Sequence, residues 1–188
     1  MNNKSELNLI IFCSRNKDNR EKMNDSWKER DLPFVSTKSY EELKTKFKQF
    51  VSDGQPGETC RWYQSINPRD NQRVIADLQH YLLDHPDYSA AKIPSKLASL
   101  AGNTKNSAGK RWLFDYDDKP ERLETFLADV SREGQFNRDE ITVIDTLSGH
   151  AVITPRGFDV RSLMAEWPLV ELKRDALLLV EWAVTFDH

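Results

Sequence analysis

Hydrophobic residues recur along this chain with two spacings, one typical of strands and the other typical of helices. The first half predicts strands over residues 7–14 and 60–67, and helices over residues 39–51, 71–84 and 90–101. The strand over 60–67 alternates, with Cys60, Trp62 and Ile66 on one face, so we expect it to be half-buried with one polar face. These elements predict a small N-terminal α/β module over residues 1–104.

The second half is more regular. It predicts strands over residues 110–117, 140–147, 150–154 and 176–184, and helices over residues 119–132 and 159–166. This order of strand, helix, strand, strand, helix, strand is typical of the ferredoxin-like or RNA-recognition-like fold. We therefore expect an α+β protein with such a βαββαβ core at about residues 110–184, within a second domain over 105–188. The two domains are expected to pack as one compact unit.

Alternation along the 110–117 strand separates aromatic from acidic side chains. Trp112, Phe114 and Tyr116 are expected to face the helices, which leaves Asp115 and Asp117 on the open face of the sheet. Two neighbouring carboxylates repel each other unless a cation lies between them, and their oxygens suit Mg or Mn. The other interpretation is a solvated strand end followed by a helix cap at Asp118.

A second motif, Ser148-Gly149-His150, follows the next predicted strand. The predicted topology places His150 on a strand beside the aspartate strand, so both motifs are expected on one open face. A hydroxyl and an imidazole there would bind the phosphates of a nucleotide. A plain hairpin turn is the alternative interpretation.

Two residues are candidates for a third carboxylate ligand of the metal. Asp159 is one candidate, although it also suits the cap of the 159–166 helix. Glu181, on the last predicted strand, is the substitute, because that strand is expected to flank the aspartate strand.

The three motifs together resemble the archaeo-eukaryotic primase superfamily, which includes primases and primase-polymerases. The resemblance covers roughly the second half of the chain and rests on Trp112–Asp117, Ser148-Gly149-His150 and Phe158-Asp159. It implies metal-dependent nucleotidyl transfer, with Asp115, Asp117 and Asp159 as metal ligands and Ser148 and His150 contacting nucleotide phosphates. His150 is thereby a catalytic candidate beside the two aspartates. Short stand-alone members of this superfamily occur in phages and plasmids.

Basic residues suggest where nucleotide and nucleic acid would lie. Arg156 and Arg161 flank the third motif and suit a triphosphate, while Asn67, Arg69, Lys110 and Arg111 are candidates for a nucleic-acid groove. A solvated surface is the alternative for each. The net charge of −3 and a pI near 5.8 argue against a simple nucleic-acid coat protein but do not exclude a local basic groove.

Two further function classes fit the same pattern. One is a non-catalytic module that binds nucleic acid, nucleotide or a protein partner, and it includes a phage-encoded form. The other is a metal-dependent phosphoesterase or nuclease. With neither a signal peptide nor a membrane span in the pattern, we expect a cytoplasmic protein, in the host cytoplasm if a phage encodes it. Trp167 and Trp182 are expected in the core.

Overall fold

A computed structural model describes residues 6–146 and 149–186 of the chain as a mixed α+β protein. Within these residues there are eight strands and six α-helices. The strands are β1 (Asn8–Ser14), β2 (Arg30–Ser36), β3 (Thr59–Ser65), β4 (Trp112–Tyr116), β5 (Thr142–Asp145), β6 (His150–Thr154), β7 (Val170–Arg174) and β8 (Leu177–Val184). The helices are α1 (Asn16–Asn19), α2 (Tyr40–Ser52), α3 (Asn71–Asp84), α4 (Ile93–Ala101), α5 (Leu123–Gly134) and α6 (Arg161–Glu166).

The chain divides into two compact units, each with its own four-stranded sheet. The first unit comprises residues 6–108 and 179–186, and the second comprises residues 109–178. The first sheet has the strand order β2-β1-β3-β8, and the second has the order β5-β6-β4-β7. The predicted division at 104/105 differs from this one, because the end of the chain returns to the first unit.

The core of the first unit forms between its sheet and α2. Ile10, Phe12 and Trp62 are fully buried and pack with Leu43 and Phe47 of the helix. Burying a side chain of this size stabilises a fold by about 1.5–3 kcal/mol. The helix begins where Ser39 and Glu42 form a capping box. The apolar positions of these strands and of α2 thus form one buried layer.

The core of the second unit lies between its sheet and the helices α5 and α6. Phe114 and Tyr116 are fully buried there, against Phe126, Leu163 and Trp167. The prediction that these strand aromatics face the helices is confirmed. Trp112 is only half-buried, and its ring stacks on Phe158.

The last strand of the second sheet was predicted wrongly. The fourth strand of this sheet is β7, over Val170–Arg174, which the sequence pattern did not indicate. The predicted strand over residues 176–184 does form, as β8, but it belongs to the first sheet. The pattern identified an apolar strand and could not specify which sheet it joins.

The starts of both helices in the second unit also differ from the predicted caps. α5 begins at Leu123 after a short 3₁₀ turn, and Asp118 accepts hydrogen bonds from the Lys119 backbone and the Arg122 side chain instead of capping the helix. α6 begins at Arg161, where Asp159 accepts from the Arg161 backbone. Trp167 is buried as expected, whereas Trp182 is 49% exposed.

Candidate functional site

Asp115 and Asp117 lie at one end of β4, a central strand of the second sheet. In the register, Asp115 stands opposite Ala151 of β6 and Glu171 of β7. Side chains opposite one another in a sheet share a face. We call the face that carries Leu113, Asp115, Ala151, Glu171 and Lys173 the aspartate face.

The aspartate face is not bare, contrary to expectation. Leu113 and Ala151 are buried, at 4% and 2% exposure. The Asp115 side chain keeps 29% of its surface exposed, and Asp117 is exposed. Solvent therefore reaches the carboxylates at the end of β4 while the neighbouring apolar positions are covered.

A lysine neutralises Asp115. The Lys173 ammonium, on β7, contacts the Oδ2 atom of Asp115 and lies 3.3 Å from the Oε2 atom of Glu171. Partial burial by itself would lower the pKa of Lys173, but the hydrogen bond and charge of Asp115 outweigh it and raise that pKa. The ammonium is thus held between two carboxylates on neighbouring strands.

The two sequence motifs meet at Gly149. A β-carbon at this position would lie 2.2 Å from the carbonyl oxygen of Tyr116 and 2.9 Å from Oδ1 of Asp117. The turn is closed by Thr146, whose backbone N–H donates to the Gly149 carbonyl at 2.9 Å and whose hydroxyl accepts from the Gly149 N–H at 3.2 Å. Only glycine permits so close an approach. Ser148, the neighbouring phosphate-binding candidate, lies outside the described residues.

The predicted placement of His150 on the same face as the aspartates is wrong. The register sets His150 opposite Tyr116 and Asp145, so its ring lies on the helix-covered face. Its Nδ1 atom is 3.0 Å from Oδ1 of Asp145, and its ring is 6.1 Å from the Tyr116 ring. A shift of one residue along a strand reverses the face, and Ala151, rather than His150, faces Asp115.

Neither predicted third carboxylate joins Asp115 and Asp117. The chain leaves β6 at Thr154, which pairs with Trp112 at the opposite end of β4 from Asp117. Phe158 then packs on Phe114 and Phe136, on the helix-covered face. Asp159 follows there, held by the guanidinium of Arg161 at 2.5 Å, which lowers the pKa of Asp159 to about 2.

Glu181 belongs to the other sheet. It lies on β8, where it accepts a hydrogen bond from the Tyr40 hydroxyl at 2.8 Å and lies 3.6 Å from the Lys44 ammonium. The strand that carries Glu181 was expected beside β4, but β7 lies there instead. The carboxylate that the register actually sets opposite Asp115 is Glu171, whose side chain is 72% exposed.

The basic candidates divide by exposure. Asn67 and Arg69 are 1% and 4% exposed, so their side chains present almost no surface to a nucleic acid. Lys110 and Arg111 are exposed. Arg156 lies over the Phe136 ring at 4.7 Å, and Arg161 is paired with Asp159.

The donors at the end of β4 suit a hard cation only in part. Among residues 6–146 and 149–186, no group of three His, Cys, Asp or Glu side chains stands ready to hold a metal ion. Mg²⁺, however, usually takes one or two carboxylates and completes its shell with water and substrate phosphates. Asp115 and Asp117 fit that donor chemistry, provided that Lys173 leaves Asp115.

Three residues at this end of the sheet escaped the sequence pattern: Asp145, Glu171 and Lys173. The segment Val170–Arg174 alternates two apolar with three polar residues, which is the pattern of a half-buried strand. With only two apolar positions the signal is weak. Asp145 ends a recognised strand, but its pairing with His150 depends on the hairpin register.

A second charged cluster lies in the first unit. Asp18 accepts hydrogen bonds from Arg61 and from Arg15, the latter at 3.1 Å, and Arg61 also donates to the Tyr63 hydroxyl at 3.4 Å. Burial alone would raise the pKa of Asp18, but the two guanidinium groups lower it. The cluster connects α1 with β3 and pairs one carboxylate with two guanidinium groups.

Comparisons of the chain with protein-family models, curated proteins and solved structures found no match. Of the helices in the described part of the chain, none is both long and apolar enough to cross a membrane. The site is therefore characterised by its own geometry: two carboxylates and a glycine turn at one end of β4, with a lysine bound to the first carboxylate.

Proposed function

We propose that this protein is a primase-like, metal-dependent nucleotidyltransferase whose second unit is a ferredoxin-like, RNA-recognition-like catalytic core. The order β4, α5, β5, β6, α6, β7 and the strand order β5-β6-β4-β7 support the fold part of the proposal. In that fold the first and third strands are central, as β4 and β6 are here. Fold alone does not imply activity, so the function depends on the site.

The observation that carries the proposal is the contact between the two motifs. Gly149 lies against Asp117, so the aspartate pair and the Ser-Gly-His segment occupy the same end of the sheet. In the resemblance described above, these motifs bind the metal and the nucleotide phosphates of one reaction. The pairing of β4 with β6 brings the two motifs to the same end of the sheet.

The residues divide the work of nucleotidyl transfer as follows. Asp115 and Asp117 hold Mg or Mn, which, when bound, neutralises phosphate charge and activates the attacking hydroxyl. His150, whose Nδ1 atom lies 3.0 Å from Oδ1 of Asp145, is on the helix-covered face and takes no part in holding the metal. Lys110 and Arg111 are exposed and attract the nucleic-acid backbone.

Nucleotide incorporation with Mn²⁺ tests the proposal. Wild type, Asp115→Ala and Asp117→Ala are compared on primed and unprimed single-stranded templates, with Asp139→Ala, an exposed aspartate of the same unit, as the matched control. Loss of a metal ligand removes several kcal/mol of charge stabilisation, so each site variant is expected to lose about 100-fold or more in rate. Equal rates in wild type and Asp115→Ala would contradict the proposal.

A non-catalytic nucleotide-binding or nucleic-acid-binding module is the second candidate. The pairing of Asp115 with Lys173 and of Asp159 with Arg161 favours it, because carboxylates neutralised by protein cations need no metal. This candidate predicts that wild type binds nucleotide or single-stranded DNA with little dependence on Mn²⁺ and incorporates nothing. Binding measured by fluorescence anisotropy with and without EDTA separates the two candidates.

A further inference from the structure

We propose that Lys173 is an internal counter-ion for the metal site: it occupies the cation position on Asp115 in the metal-free protein and binds a nucleotide phosphate when the metal replaces it. This inference rests on the proposed function, and it assigns a role to a residue on β7 that none of the three motifs contains. Lys173 would be a phosphate-binding and gating residue of the same site.

The register explains why a cation is needed on this face. Asp115 and Glu171 stand directly opposite each other on β4 and β7, and like charges in that position destabilise a strand pair. The Lys173 ammonium contacts Asp115 and lies 3.3 Å from Glu171, so it offsets both negative charges. A divalent ion at Asp115 would meet the same need with twice the charge.

The position of Lys173 also suits an exchange of partners. Its side chain is 37% exposed, and the Asp115 side chain is 29% exposed, so neither is sealed in the core. An ammonium on a flexible four-carbon stem moves between partners more readily than a planar guanidinium does. Displaced from Asp115, the ammonium remains on the aspartate face, where the phosphates of a metal-bound nucleotide would also lie.

The exchange predicts opposite effects on two affinities. Lys173→Met removes the competing cation, so Mn²⁺ alone is expected to bind about three- to tenfold more tightly than it binds wild type. The same variant loses a phosphate contact, so dATP in the presence of saturating Mn²⁺ is expected to bind several-fold more weakly. A lysine that only neutralises Asp115 and binds no phosphate would leave the affinity for dATP unchanged.

Mn²⁺ binding is measured by the electron paramagnetic resonance signal of the free ion, and dATP binding by calorimetry, both on the full chain. Lys48→Met, an exposed lysine on α2, is the control for loss of one positive charge. Lys173→Arg is the second variant, because it keeps the charge and holds a carboxylate through two hydrogen bonds. It is expected to bind Mn²⁺ more weakly than wild type, and it preserves the test if Lys173→Met does not fold.

The outcomes separate the two proposals. If Asp115→Ala weakens Mn²⁺ binding while Lys173→Met binds no more tightly than wild type, the role of Lys173 is overturned and the proposed metal site stands. If Asp115→Ala, Lys173→Met and wild type all bind Mn²⁺ equally, both proposals fail. Tighter Mn²⁺ binding by Lys173→Met together with weaker dATP binding supports both.

Discussion

Gly149 connects the backbone of the β5–β6 turn to the carboxylate end of β4. It lies against the Tyr116 carbonyl and the Asp117 side chain, next to the pair that Tyr116 forms with His150 between β4 and β6. A methyl group there would have to displace backbone atoms, which yield far less than the end of a flexible side chain. A larger residue at this position would therefore have to move the end of β4 or the Asp117 side chain.

We predict that Gly149→Ala destabilises the protein by about 1–3 kcal/mol, since overpacking against backbone costs energy of this order. The free energy of unfolding in urea measures the effect. Gly102→Ala is the comparison, because its β-carbon would meet its nearest atom at 3.3 Å and its backbone is right-handed. Its expected cost is below about 1 kcal/mol, and equal costs for the two variants would contradict the steric argument.

Asp115 and Asp159, both candidate metal ligands, differ in where their cationic partners come from. Asp115 is bound by a lysine from the neighbouring strand, whereas Asp159 is bound by Arg161 two residues along the chain. A local pair such as Asp159–Arg161 forms wherever the backbone turns suitably. A pair across strands forms only in the correct register. The pair of Asp115 with Lys173 therefore depends on the tertiary structure, whereas the pair of Asp159 with Arg161 does not.

At the scale of elements, α2 shows which features are encoded locally. Its apolar positions Leu43, Phe47 and Phe50 are three or four residues apart, and all three are buried on one side. Ser39 and Glu42 satisfy each other's backbone N–H groups at the start. Spacing and cap both lie within a few residues, so the predicted span of 39–51 is close to the observed Tyr40–Ser52.

We predict that Ser39→Ala destabilises the first unit by about 1 kcal/mol, because the Glu42 backbone N–H at the start of α2 loses its acceptor, the Ser39 hydroxyl. Ser39→Asp is the control, since its carboxylate also accepts from the helix N-terminus and should stay within about 0.5 kcal/mol of wild type. Thermal unfolding followed by circular dichroism measures both. A stable Ser39→Ala variant would show that packing alone fixes the start of this helix.

β7 shows what escapes a local pattern. Only Val170 and Leu172 face the core, and the remaining side chains of the strand are polar. β7 pairs with the edge of β4 that β6 leaves free, and Val170 and Leu172 then lie on the helix-covered face. That edge exists only after the chain has folded, so a short polar strand beside it was not predicted.

At the scale of the whole molecule, the end of the chain returns to the first unit. Val180 and Ala183 of β8 pack against the core that contains Phe12 and Trp62. The neighbouring chain segment, β7, belongs to the second sheet. Two consecutive strands thus serve different sheets, and the first unit is discontinuous in sequence.

We predict that Val180→Asp destabilises the first sheet, because a charge would enter its apolar layer without a partner. Hydrogen exchange should increase in β3, which pairs with β8, and remain near wild type in β4. Trp182→Asp is the control on the same strand, since Trp182 is 49% exposed. Faster exchange in β4 with no change in β3 would contradict the assignment of β8 to the first sheet.

Local patterns in the sequence predicted the strands and helices with strong periodicity, the buried aromatic face of β4 and the residues of the motifs at the end of that strand. Periodicity and capping involve residues within one or two turns of each other, so a single sequence contains them. The sequence also predicted a turn at Gly149, between Ser148 and His150.

The pairing of the strands and its register became visible only in the folded sheets. It set Ala151 rather than His150 opposite Asp115, placed β8 in the other sheet, and brought Lys173 and Glu171 to the aspartate face. Pairing depends on contacts between segments far apart in the chain, and a shift of one residue exchanges the two faces of a strand. For that reason the sequence indicated the two aspartates, while only the folded sheet showed what lies beside them.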